Sequence, residues 1–180
     1  MRKILVLLLI ILSFSNCKSS KRAKAFKTKT FTEGLKNSEE NTNTSTTFKI
    51  VSLQDSIANY AKNFEGVRYK WGGTTTSGMD CSGLVFESFR AHHIFLPRIS
   101  RDMAKKGYRI ALKNIQKGDL LFFKTSKSRR HTINHVGLVI EVKNRDITFI
   151  HSTTKRGVIT SFLSEAYWSN TFFEARRYID

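Results

Sequence analysis

The sequence predicts an α+β domain over residues 50–180, in which N-terminal helices pack on an antiparallel β-sheet. Three observations predict it. Apolar residues from Leu53 to Phe89 recur at helical spacing. From Leu120 onward they fall into short runs or alternate with a period of two. Helices that come first, with strands that follow, segregate in an α+β architecture, whereas βαβ alternation would build a doubly wound sheet. A hydrophobic fraction of 40% supplies a core and excludes a wholly disordered chain.

Ser52 is placed as a helix N-cap with Asp55 three residues on, and Leu53, Ile57, Ala61 and Phe64 line up on one face of the first helix. Gly66 ends it. Tyr69-Lys70-Trp71-Gly72-Gly73 is a short extended piece running into a glycine turn, with Trp71 expected in the core. Thr74 to Met79 reads as a polar loop. Asp80-Cys81-Ser82-Gly83 opens a second helix that turns Leu84, Val85, Phe86 and Phe89 inward. Leu96-Pro97 breaks the chain, and Ser100 is expected to cap a short third helix that stops at Gly107. Gly118-Asp119 is a turn before a buried strand, Leu120 to Phe123. His135 to Val142 alternates, turns through Lys143-Asn144-Arg145-Asp146, and returns as Ile147 to His151. Val158 to Thr160 and Phe172 to Ile179 supply the last strands.

Residues 1–17 have the pattern of an export signal: Arg2 and Lys3, then an apolar run from Ile4 to Leu12. Nine residues at about 1.5 Å each fall well short of a roughly 30 Å hydrocarbon core, so the run does not fit a membrane span. A cysteine just after such a run, Cys17, resembles the bacterial lipoprotein signal, in which that residue is lipidated. Phe14 and Asn16 depart from the usual residues of that pattern. Residues 18–49 are polar and basic and read as a flexible tether, spanning about 30 Å on random-coil scaling. The two cysteines, Cys17 and Cys81, are too few for a disulfide-stapled exported domain.

The chain carries a formal charge of +17 spread along its length. Such a surface favours anionic partners: nucleic acid, acidic lipid or a carboxylate-rich wall. No nucleic-acid motif is visible and the export signal argues against that partner.

Cys81 stands at the start of a helix, where unpaired N–H groups and the helix dipole favour a thiolate, so its pKa is expected to be depressed. Of five histidines, His92 and His93 trail the second helix as surface residues, and His131 sits in a basic loop. His135 heads an apolar strand and His151 ends the next. Both are odd-numbered, and a turn centred near Lys143 would set them opposite each other on one sheet face. His151 could then hold His135 in the tautomer a base needs. Zinc is the rival for these three residues, but zinc sites show close ligand pairs and none is present.

Tyr69-x-Trp71-Gly72-Gly73, Asp80-Cys81-Ser82-Gly83-Leu84-Val85, Leu96-Pro97-Arg98-x-Ser100, Gly118-Asp119-Leu120, His135-Val136-Gly137 and His151 follow one another in order. This series resembles the NlpC family of cell-wall cysteine peptidases, a compact branch of the papain-like enzymes, over about residues 64–179. It is most similar to the short lipoprotein members, murein endopeptidases built of signal, tether and one catalytic domain. Met103 departs from the Gln frequent there.

The resemblance implies a papain-like fold and a peptidoglycan endopeptidase needing no cofactor or metal. Cys81 would be the nucleophile, His135 the base and His151 its orienting partner. The N–H of Cys81 and the phenol of Tyr69 would receive the oxyanion. Asp80, Ser82, Arg98 and Ser100 would line the substrate site, with Arg98 free to pair with a substrate carboxylate. The bond would join γ-D-glutamate or D-alanine to diaminopimelate in stem peptides. The expected molecule is exported, monomeric and anchored to a membrane through Cys17. A wall-binding lipoprotein with a vestigial site is the alternative, and the presence of Cys81, His135 and His151 together argues against it.

Overall fold

The period-two runs after Leu120 pair into one antiparallel sheet, and the helical runs before it pack across one of its faces. In this computed structural model residues 51–125 and 132–179 are described. The expected signal (1–17), Cys17, the tether (18–49) and His131 lie outside them.

Helix α1 (Leu53–Lys62) starts at the expected cap: the Ser52 hydroxyl accepts from the Asp55 N–H at 3.0 Å. Ile57 and Ala61 are buried and Leu53 is exposed, so the apolar face begins one turn later than its spacing suggests. The segment expected as a loop folds into a small hairpin, β1 (Thr74–Thr75) with β2 (Gly78–Met79). Trp71, expected in the core, is 86% exposed. Gly72 and Gly73 turn the chain directly after it, and that turn leaves the indole at the surface.

Helix α2 (Cys81–Arg90) turns Leu84, Val85 and Phe89 into the core, with Phe86 partly buried against it. Helix α3 (Ser100–Met103) is a single turn that ends four residues before Gly107, and its cap position is Ile99. Ser100 is therefore the first helical residue and is buried rather than capping. Strands β3 (Tyr108–Ile110), β4 (Leu120–Phe123), β5 (His135–Lys143), β6 (Asp146–Thr153) and β7 (Gly157–Phe162) follow, then helix α4 (Ala166–Thr171) and strand β8 (Phe172–Arg177). The sheet order is β3-β8-β4-β5-β6-β7, with every neighbouring pair antiparallel.

The sheet has a core on each face. Ile57, Leu84, Phe89 and Met103 from the helices meet Phe122, Val136 and Leu138 on one side. Leu121, Phe123, Val139, Phe149 and Trp168 fill the other. Gly137 allows this second core to close, because a Cβ there would lie 2.4 Å from the Phe149 ring. The Gly118-Asp119 motif is structural: buried Asp119 receives Arg177 through two hydrogen bonds of 2.8 Å and pins β8 to the turn before β4.

The β5–β6 register carries the main surprise. The hairpin turns at Asn144 and Arg145, both at positive φ, and pairs Lys143 with Asp146 and Val142 with Ile147. Continued unbroken, that register would set His151 opposite Leu138 and throw the two histidines onto opposite faces. A bulge between Val139 and Glu141 shifts the pairing by one, to Leu138 with Ile150 and Val139 with Phe149. The shift returns His135 and His151 to one face, two residues out of direct opposition.

Candidate active site

Cys81 and His135 meet in a cleft of about 1060 Å³, where the start of α2 reaches the head of β5. Tyr69, Asp80, Ser82, Arg98 and Ser100 also line it, so the cleft gathers every expected site residue of the domain except His151. His151 sits behind His135 and is fully buried.

The helix side is fastened by charge. Asp80 caps α2, accepting from the Gly83 N–H at 2.6 Å through Oδ1 and from the Gly72 N–H at 2.7 Å through Oδ2. Arg98 donates to both carboxylate oxygens at 3.0 Å and to the Ser82 hydroxyl at 2.9 Å. Its Nη2 also reaches the Gly73 carbonyl at 3.3 Å. Gly83 fits beneath that carbonyl because a Cβ there would lie 2.0 Å from it. Arg98 is thus spent within the protein, and the expectation that it is free for a substrate carboxylate is corrected. Its planar fork matches one carboxylate, and Asp80 occupies it. Ser82 is likewise enclosed, donating to Asp80 at 3.2 Å.

The sheet side is fastened without charge. His135 Nε2 lies 3.0 Å from His151 Nδ1, and His151 Nε2 lies 3.1 Å from the Ser161 hydroxyl. Trp168 stacks on His135 at 5.3 Å and meets His151 edge-on at 4.6 Å, while Phe149 closes the box at 4.8 Å from His151. The bond to His151 uses Nε2 of His135, so Nδ1 is the ring nitrogen not engaged by His151.

Burial decides the electrostatics of both partners. It pushes the Cys81 thiol up to about 11, aided by the charge of Asp80 and opposed by the N–H groups of Val136, Ser82 and Cys81 itself. The depressed thiol expected from the helix start is therefore corrected, because desolvation outweighs the N–H groups aimed at the sulfur. Burial also holds His135 down to about 4 and His151 lower than an ordinary imidazole, the latter helped by the charges of His135 and Arg156. The resting pair is a thiol and a neutral imidazole. Burial, then Asp80 and Cys81, raise the Tyr69 phenol, which stays protonated as a donor at neutral pH.

Several residues of the site escaped the sequence reading. Ser161 has no local signal, being one of many serines. Trp168 lies beyond the motifs that carried the resemblance, and only the fold sets it against the two histidines. Arg101, Lys155 and Arg156 are exposed on the cleft rim and have no ion-pair partner among the described residues. His92, expected at the surface, tucks its ring edge-on against Tyr60. No cluster of three or more metal-ligating side chains occurs among the described residues.

A model of the NlpC/P60 family matches residues 66–177. The chain is 34% identical over 128 residues to the murein DD-endopeptidase MepS/murein LD-carboxypeptidase of Escherichia coli (strain K12), covering 71% of this chain and 64% of that protein. It is 40% identical over 123 residues to a gamma-DL-glutamyl hydrolase of Bacillus subtilis (strain 168), covering 67% of this chain and 29% of that protein. The crystal structure of an NlpC/P60 family protein from Bacillus cereus aligns at a TM-score of 0.65 and 30% identity, over 72% of this chain and 41% of that one. The chain thus spans less than two thirds of the length of each of these relatives. The match runs through the cysteine, both histidines and the sheet that carries them, and the chain belongs to the NlpC/P60 family.

Proposed function

We propose that the chain is a peptidoglycan hydrolase, a cysteine endopeptidase that cuts stem-peptide amide bonds in the bacterial cell wall. One observation carries this reading. A cysteine at the first residue of α2 shares a cleft with a buried, neutral histidine whose far nitrogen is held by a second histidine.

The chemistry follows from that arrangement. His135 Nδ1 takes the thiol proton as the sulfur bonds to the carbonyl carbon, and the carbonyl π pair moves onto oxygen. The Cys81 N–H and the Tyr69 phenol receive that oxyanion. Its collapse expels the amine, which leaves with the proton from His135. Water then attacks the acyl-enzyme, His135 takes a proton from it, and the thiol is regenerated as the acid product departs.

Two substrates fit this reading: D-alanyl–diaminopimelate across a cross-link and γ-D-glutamyl–diaminopimelate within a stem. Both are rich in carboxylates. Among the described residues, Arg101, Lys155 and Arg156 on the rim are the cations placed to receive them, since Arg98 is committed to Asp80. In the same reading Cys17 carries the lipid, residues 18–49 carry the domain to the wall, and the enzyme works outside the cytoplasm as a monomer without cofactor.

The test is digestion of purified muropeptides by the mature chain, with products weighed by mass spectrometry. Loss of a cross-link identifies the first bond and release of a shortened stem the second. Wall binding with no product would favour the non-catalytic alternative.

A further inference from the structure

Among the described residues, Ser161 is the polar side chain that hydrogen-bonds His151 from beyond the histidine pair. It lies on β7, paired with Phe149 of β6, so its side chain shares a face with Phe149 and His151. It is 3% exposed, and His151 is 0% exposed. Phe149 and Trp168 form the aromatic box around His151. Burial keeps His151 from holding two protons, with Arg156 and His135 as the charges that act on it.

A neutral imidazole has one proton for two nitrogens. With that proton on Nδ1, His151 donates to His135 Nε2. His135 then carries its own proton on Nδ1, where it blocks uptake of the thiol proton. With the proton on Nε2, His151 accepts from His135 Nε2–H, and Nδ1 of His135 presents a lone pair to the sulfur. Only the second arrangement is a base. It is also the only one compatible with a doubly protonated His135, because both nitrogens of that ring must then donate. The second arrangement leaves a buried Nε2–H on His151 that needs an acceptor, and orphaned buried donors are rare in folded proteins. The Ser161 oxygen, 3.1 Å away, is placed to accept it; the same hydroxyl can donate to a bare Nε2 in the first arrangement, but the second, with a buried N–H to satisfy, depends on Ser161 more.

We propose that Ser161 is a positioning residue that supports the base-competent tautomer of His151, and through it of His135, by satisfying the N–H which that tautomer buries. The proposal rests on Cys81 and His135 being the catalytic pair, and it adds a fourth member to their chain. The proton crosses only from sulfur to His135. Ser161 takes no proton from His151; it accepts a hydrogen bond while the imidazolium forms two residues up the chain.

The experiment compares Ser161→Ala and Ser161→Thr in the full chain, with three readouts. The nitrogen-15 shifts of His151 report which ring nitrogen holds the proton. They are expected to show Nε2–H in the wild type and in Ser161→Thr, and Nδ1–H in Ser161→Ala. Alkylation of Cys81 by iodoacetamide near neutral pH is expected to slow about tenfold to a hundredfold in Ser161→Ala and to recover in Ser161→Thr, the factor an unpaired buried group carries. Muropeptide cleavage is expected to fall in kcat by a similar factor with KM unchanged. An Ala variant with the wild-type His151 pattern and alkylation rate overturns the proposal, as does a Thr variant that restores neither. Tautomer and alkylation readouts need no turnover, so absent muropeptide cleavage with a Ser161-dependent tautomer would sink the assigned activity and leave this inference standing.

Discussion

On the helix side of the cleft, Asp80 holds two backbone N–H groups, a serine and an arginine, all through one carboxylate. On the sheet side, His135, His151 and Ser161 are joined by three neutral groups inside an aromatic box. The two sides answer different demands. Under the proposed function the nucleophile's backbone must stay still, and a bidentate ion pair is directional. The base must gain and lose a proton each turnover, and a group buried among rings stays neutral until a partner charge forms beside it. Charge serves geometry on one side, and its absence serves proton transfer on the other.

The strongest way to break this comparison is to remove the reacting groups. Cys81→Ala and His135→Ala are each expected to lower muropeptide cleavage by about a thousandfold or more, with the melting temperature near that of the wild type for Cys81→Ala and lowered for His135→Ala, which leaves His151 Nδ1 unpaired. If the Cys81 variant still cuts at an appreciable rate, the nucleophile lies elsewhere. The same two sides also predict a thiol at rest. The ultraviolet difference spectrum between the wild type and Cys81→Ala should show no thiolate band at pH 7 and gain one only as pH climbs towards 11. A thiolate band at neutral pH would mean a standing ion pair instead of a neutral one.

Asp80→Ala attacks the helix side. It removes the α2 cap and strands the partly buried guanidinium of Arg98, an expected loss of about 3 kcal/mol. Chemical denaturation measures it. Activity should fall along with stability, because the start of α2 carries Cys81. A variant with full stability and no activity would instead make Asp80 a substrate ligand.

The sheet side predicts a dependence on pH with a definite sign. In the unfolded chain the two histidines bind protons near the ordinary value of about 6.5. In the folded chain His135 binds one only near 4, and His151 lower still. Between those limits the unfolded state holds more protons, so stability is fully present above about 6.5 and is lost as pH falls towards 4. With both histidines the slope approaches about 2.7 kcal/mol per pH unit. Urea denaturation between pH 4.5 and 7, on the wild type and His151→Gln, should show the variant losing close to half of that slope.

Much of this was legible in the chain because local chemistry decided it. Ser52 and Asp80 cap their helices as serine and aspartate do anywhere, and the even separation of His135 and His151, 16 residues, allowed them a shared face. The parts that were hidden depend on contacts distant in sequence. The bulge near Ile140 rescues the register that the Asn144-Arg145 turn would spoil, and no residue type announces it. Arg98 lies 18 residues from Asp80, and only the fold shows that the two are partners. The thiol of Cys81 was misjudged because a helix start is a local feature and burial is not. Trp71 shows the reverse error, since a large apolar side chain beside glycines need not go inward.

The smallest effect belongs to the rim, and it separates two readings of Arg98. Arg101, Lys155 and Arg156 are solvated, so each removal should cost no more than an exposed ion pair, about a two- to fivefold rise in KM with kcat unchanged. The rise should shrink as salt screens the charges, which distinguishes attraction from packing. Arg98→Ala should behave otherwise, lowering the melting temperature and kcat because Asp80 and Ser82 lose their shared donor. Steady-state kinetics on carboxylate-bearing muropeptides at low and high salt, beside thermal melts of all four variants, would place each cation. Should Arg98→Ala raise only KM and leave the melt untouched, Arg98 belongs with the rim, and the helix side of the cleft is held by its cap alone.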